Sequence, residues 1–219
     1  MPIWIKICGM TTPEAVAAAL DSDVDAIGFV FAKSVRQVTP AQALRLAAPA
    51  RGRIRCVAVT RHPSQQDVDQ ILEEFGPDVL QTDSTDLAGL RLPDQLELLP
   101  VFRDGSPLGS PSPTARFPAL GIPSLTARSP TRLLFEGVAS GAGMPCDWTA
   151  ASRIARLAEL VLAGGLNPNN VAAAISQVRP FGVDVSTGVE ARPGVKSPAE
   201  IARFVTMARA SNDAHEELI

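Results

Sequence analysis

The stretch IKICGM at residues 5–10 carries a lysine and a thiol within a β-branched run that stops at a glycine. In a strand, alternation places Ile3, Ile5 and Ile7 on one face and Trp4, Lys6 and Cys8 on the other. A cation beside a thiol favours the thiolate, its basic and nucleophilic form; a cysteine so placed could also be a small hydrophobe filling a core gap. Two carboxylates recur in the same kind of position. Alternation in RLLFE sets Leu134 and Glu136 opposite Leu133 and Phe135, and in FGVDVS it sets Gly182, Asp184 and Ser186 opposite Phe181, Val183 and Val185. A thiol and two carboxylates are groups that carry protons.

Two glycine-bearing turns accompany them. LAGGLNPNN bends at Gly164 and Gly165, and DVSTGVE leaves its strand through Ser186, Thr187 and Gly188. Backbone N–H groups at such turns bind phosphate without requiring net basic charge. Either turn alone would serve as a tight connection, whereas both together on adjacent final strands point to an anion site.

The elements that must position these groups are read from the alternation of short β-rich runs with Ala/Leu-rich stretches. IWIKI, DAIGFVF, RIRCVAVT, DVLQ, LLPVF, RLLFE, ELVLA and FGVDV are eight strands, each followed by a candidate helical segment. Thr12-Pro13, Thr39-Pro40, Asn167-Pro168 and Ser197-Pro198 mark helix N-termini, with Ser197 and Glu200 spaced as a capping box. Strict alternation means parallel strands with right-handed crossovers. Eight of them close most naturally into a single (β/α)8 barrel over residues 1–219, with a doubly wound sheet as the other arrangement. Residues 103–131, with six prolines, predict an irregular, Pro/Ser-rich fifth helix region. In such a barrel the strand ends carry function, which selects Cys8, Arg36, Gln81, Glu136 and Asp184.

Composition narrows the partners. Lys+Arg 20 against Asp+Glu 23 and a pI near 5.4 argue against a nucleic-acid or membrane surface. Three scattered cysteines make neither a disulfide framework nor a metal cluster, and neither His62 nor His215 is assigned to a metal. Together with the lack of a signal segment, they predict a reduced, cytoplasmic protein.

The combination KICGMT, GFVFAKSVRQV, LLFEG followed by SGAG and DW, LAGGLNPNNV, and DVSTGVE followed by GVKS closely resembles phosphoribosylanthranilate isomerase of tryptophan biosynthesis, in register from about residue 3 to residue 205. The resemblance implies a (β/α)8 barrel without a cofactor that performs an Amadori rearrangement of a phosphoribosyl amine. It implies that Cys8 is the general base at C2 of the opened sugar and that Glu136 stands where the family has its general acid, an aspartate. It also implies that Arg36 holds the anthranilate carboxylate, that Gln81 and Asp184 contact substrate, and that the two glycine turns hold the phosphate. Asp184 is equally suited to pair internally with Lys6 or Arg132. Glu190 and Lys196 read as loop structure, Cys56 as core and Cys146 as a loop residue.

Two departures stand out. Glu136 is one methylene longer than aspartate, and after the fourth strand the family's QLHG is replaced by QTDS, so only Gln81 carries over. These keep open a degenerate barrel that binds phosphorylated ligands with little turnover. A histidine-pathway isomerase is a further alternative, disfavoured because that enzyme pairs two aspartates where the first strand here ends in Cys8.

Overall fold

The computed structural model describes residues 2–103, 132–137 and 146–216, with side chains through residue 211. Eight strands form its centre: β1 (Trp4–Cys8), β2 (Ala26–Val30), β3 (Arg55–Val59), β4 (Val79–Asp83), β5 (Glu97–Arg103), β6 (Arg132–Glu136), β7 (Glu159–Leu162) and β8 (Gly182–Val185). Each pairs in parallel with the next, and β1 pairs with β8 to close the barrel. The closed barrel replaces the open-sheet alternative. Six α-helices are described: α1 (Pro13–Asp21), α2 (Pro40–Ala47), α3 (Gln65–Glu74), α4 (Trp148–Ala155), α5 (Val171–Val178) and α6 (Pro198–Glu216). After β8 the chain forms a small antiparallel hairpin, β9 (Glu190–Arg192) and β10 (Val195–Lys196), before entering α6.

Alternation sorts the strand residues into two shells. Ile5, Ile7, Phe29, Leu133, Phe135 and Val183 point outward and are buried against the helices. Val57, Val79, Leu99, Val101, Leu134 and Val161 point inward and fill the barrel, as layered inward side chains do in this architecture. Full burial of each such side chain contributes about 1.5–3 kcal/mol. The same parity sends Lys6, Cys8, Gln81, Asp83, Glu136 and Asp184 toward the axis.

The helix starts follow their capping chemistry with two exceptions. Thr12 accepts from Ala15 N, Thr39 forms a reciprocal box with Gln42, and Ser64 does the same with Asp67. Asn167-Pro168 instead begins a turn, and α5 starts later, at Val171; Asn167 Oδ1 accepts from Asn169 N. Ser197 Oγ accepts from Glu200 N, but the Ser197 N–H donates to Val189 O, so the expected box is only half formed. Between β4 and β5 a 3-10 turn, Leu87–Gly89, takes the place of a helix, because Gly89 and Pro93 interrupt that connection. The expected irregular fifth helix region falls on residues 104–131, outside the described residues.

Candidate active site

Cys8, Arg36, Gln81, Glu136, Gly164, Gly165, Asp184, Ser186, Thr187 and Gly188 all line one cleft of about 240 Å³ at the C-terminal ends of the strands. Larger clefts of about 550 and 750 Å³ lie elsewhere, but only this one gathers the strand-end thiol, carboxylates and glycine turns.

The β1–β8 register sets Lys6 opposite Asp184, and their side chains meet at 2.8 Å. Lys6 is fully buried. Burial alone would lower its pKa, yet Asp184 and Cys8 outweigh it and the ammonium is held above its usual range. Asp184 is thus the internal partner of Lys6; Arg132 lies elsewhere, bonded to Glu97 and Glu159 and stacked on Phe181. For Cys8, burial pushes the thiol upward, Lys6 and Lys196 pull it down, and Asp184 adds to the rise; the net direction is up. Lys6 alone would favour the thiolate, as its spacing suggested, but desolvation wins. Gly28 makes room for this pair on β2: a Cβ there would lie 3.1 Å from Cys8 Sγ and 3.2 Å from Lys6 Nζ.

Arg36 follows β2 and crosses to the last turn. Its Nε donates to Glu190 Oε1 at 2.6 Å and its Nη2 to Glu190 Oε2 at 3.0 Å and Thr187 Oγ1 at 3.1 Å. Buried Lys196 bonds Glu190 Oε1 at 2.9 Å, Ser186 O at 3.0 Å and Ser186 Oγ at 3.1 Å, and Ser186 Oγ in turn donates to Cys8 O. Partial burial would raise the Glu190 carboxyl, but bonds from Arg36 and Lys196 hold it below the usual range; burial holds Lys196 below its own. Glu190 and Lys196, read from sequence as loop structure, therefore tie Arg36 to the β1 and β8 termini. Only the hairpin β9–β10 folds them back over the rim, and residue order carries no sign of that.

The glycine turns touch. Gly164 and Gly165 have φ of 90° and 65°, a backbone that favours glycine, and a Cβ on Gly188 would stand 1.9 Å from Leu166 O. Side chains are thereby excluded where the two loops meet.

The far side of the cleft differs from expectation. Gln81 is buried, and its Oε1 has no hydrogen-bond partner among the described residues. Asp83 faces inward beside it, while Thr82 turns outward to bond Asp86. Arg103, at the end of β5, bonds Asp83 through Nη1 and lies 3.0 Å from Glu136 through Nη2. Neither Asp83 nor Arg103 was selected from the sequence, although the inward parity of β4 and β5 would have marked both.

Cys56 is core, with burial pushing its thiol up to about 11. Cys146 lies in the loop before α4, as read from the sequence, and is buried there with its thiol directed at Ala163 O. Among the described residues, His62, Asp83 and Asp86 could gather around a metal. Asp83 Oδ1 accepts from Arg103, and Asp86 accepts from His62 N, His62 Nδ1 and Thr82 Oγ1, so three of the four carboxylate oxygens already have donors.

A closed parallel barrel with a thiol, two carboxylates and paired glycine turns at its C-terminal rim defines a (β/α)8 enzyme whose site lies where such barrels place theirs. The family model described as N-(5'phosphoribosyl)anthranilate (PRA) isomerase matches residues 5–104 and 115–207, and the chain belongs to that family. It is 37% identical to the N-(5'-phosphoribosyl)anthranilate isomerase of Mesorhizobium japonicum, over 97% of this chain and 98% of the relative, and 39% identical to that of Rhizobium etli, over 91% of each. The crystal structure of TrpF from Jonesia denitrificans superposes with a TM-score of 0.75 at 35% identity, covering 96% of this chain and 98% of the other. A phosphoribosyl anthranilate isomerase in complex with reduced 1-(o-carboxyphenylamino)-1-deoxyribulose 5-phosphate superposes with a TM-score of 0.71 at 27% identity, covering 95% and 99%.

Proposed function

We propose that this chain isomerises N-(5-phosphoribosyl)anthranilate to the aminoketose 1-(2-carboxyphenylamino)-1-deoxyribulose 5-phosphate, with Cys8 as base and Glu136 as acid. The observation that carries the reading is the convergence of Cys8 and Glu136 on one cleft that the paired glycine turns also line. In the reaction Glu136 protonates the furanose ring oxygen, the ring C–O bond breaks, and the anilino nitrogen becomes the iminium of a Schiff base. The Cys8 thiolate then takes the proton from C2, the electrons of that C–H bond neutralise the iminium, and the resulting enolamine gains a proton at C1 and loses the proton of its C2 hydroxyl to give the ketone.

Other residues bind and orient. The phosphate is held by backbone N–H groups around Gly164, Gly165, Ser186, Thr187 and Gly188. Arg36 receives the anthranilate carboxylate, with Glu190 aiming its guanidinium. Gln81 and Asp184, both buried but lining the cleft, contact the sugar, Asp184 beside Lys6. Because burial holds the Cys8 thiol above its usual range, the buried Lys6 ammonium has a direct role: it stabilises the thiolate once the proton has left.

The pairing of Glu136 with Arg103 favours a second reading, a barrel that binds phosphoribosyl ligands without turning them over, because proton donation requires that pair to loosen. Loss of phosphoribosylanthranilate fluorescence on mixing with the purified chain separates the two. Turnover supports the isomerase; binding of the product without turnover supports the second reading.

A further inference from the structure

Asp83 and Glu136 lie on β4 and β6, which do not pair with each other. Arg103 on the intervening strand touches both. In the β5–β6 register Arg103 and Glu136 are direct neighbours, and the guanidinium reaches back across β5 to Asp83. The three side chains are 17%, 13% and 6% exposed for Arg103, Glu136 and Asp83, so their contacts are shielded from bulk water. Asp83 is itself braced from outside, with its Oδ2 3.5 Å from His62 Nε2 and 4.0 Å from Arg61 Nε.

We propose that Arg103, anchored by Asp83, is a positioning residue that places the carboxyl of Glu136 for its work at the ring oxygen. This rests on the reading of Glu136 as the acid. An added methylene extends a side chain by about 1.5 Å, and a misplacement of about 1 Å can cost ~100-fold in rate. A guanidinium fixed to a neighbouring strand draws the longer side chain back by a defined contact, where a loop shift would leave it loose. Arg103 holds Asp83 through Nη1 and faces Glu136 through Nη2, so the guanidinium keeps its anchor on β4 when its contact with Glu136 loosens for proton donation. Asp83 and Glu136 are thus joined through a single guanidinium on the strand between them.

The test measures kcat and KM with phosphoribosylanthranilate for the wild type, Arg103→Met, Arg103→Lys, Glu136→Gln and the double variant Arg103→Met/Glu136→Gln. Spectra of 13C-labelled glutamate carboxyl groups are recorded alongside. Arg103→Met is expected to lower kcat ~30–100-fold with KM changed less than about threefold, and Arg103→Lys to recover part of the loss. Once Glu136 is glutamine, Arg103→Met should cost less than about twofold, because nothing remains to be positioned. The carboxyl signal that disappears in Glu136→Gln should move in Arg103→Met, and in Arg103→Lys if the methionine variant does not fold. Equal losses with and without Glu136, or a Glu136 signal that stays in place, would overturn the proposal. A wild type that shows no turnover while its Glu136 signal still moves would count against the assigned reaction and for the positioning.

Discussion

Two charged networks occupy opposite arcs of the barrel, and they are built differently. On β1, β8 and the following hairpin, Lys6 and Lys196 are fully buried and every cation meets a carboxylate or carbonyl: Lys6 with Asp184, Lys196 with Glu190 and Ser186, Arg36 with Glu190. On β4, β5 and β6, one guanidinium serves two carboxylates close to the rim. Removing both partners of a buried pair can be neutral, but removing one leaves an uncompensated charge without solvent. The first network therefore couples stability to chemistry, and the second acts mainly through geometry.

Lys6→Met is expected to break the first arc most severely. It strands Asp184 inside the barrel and should lower the unfolding free energy by about 3–5 kcal/mol, read by urea titration. Arg103→Met should cost clearly less, because Asp83 keeps His62 and Arg61 as neighbours. Equal losses would erase the distinction between the arcs.

Cys8→Ala comes next. It should reduce turnover by at least ~100-fold with the fold and product affinity nearly intact; a variant with wild-type turnover would return Cys8 to a packing role. The pH profile sharpens the point. Because burial holds the thiol above its usual range, the basic thiolate accumulates only as pH rises, so kcat/KM should climb from neutral into alkaline solution. Asp184→Asn removes a charge that holds the ionisation up and should move that limb to lower pH. A limb that Asp184→Asn leaves in place would detach it from Cys8.

Arg36→Ala should act on binding, raising KM by a factor corresponding to about 1.5–3 kcal/mol, with Arg36→Lys partial because one ammonium cannot hold Glu190 and the substrate carboxylate together as the planar guanidinium does. A collapse of kcat at constant KM would give the arginine another role. The last test belongs to the second arc. Glu136→Asp should lower kcat about as much as Arg103→Met, ~30–100-fold, since aspartate retracts from both Arg103 and the ring oxygen; a gain in activity would mean that the barrel never adapted to glutamate.

Much of the rim was legible before any coordinates. Period-two alternation alone orients Cys8, Glu136 and Asp184 toward one axis, since a strand allows its side chains only two directions. Threonine or serine followed by proline marks where α1, α2 and α6 begin, because the cap is a local contact between a side-chain oxygen and a backbone N–H a few residues on. Asn167 shows the limit of that logic: the signal lies three residues before the helix, with a turn between.

What sequence could not supply were the outcomes of competition between distant groups. That Lys6 neighbours Cys8 follows from spacing; whether the thiol's ionisation rises or falls depends on how much water burial removes and on Asp184, which is 178 residues from Lys6 along the chain. That Glu136 points inward follows from alternation; that it meets Arg103 depends on the β5–β6 register, and that Arg103 also holds Asp83 depends on closure of the barrel around them. The residues by themselves determined the alternating elements, the barrel and the candidate rim, because these rest on local geometry and periodicity. Only the tertiary structure decided which charges are partners, because electrostatic pairing follows distance in space and desolvation, and neither is written in the order of the chain.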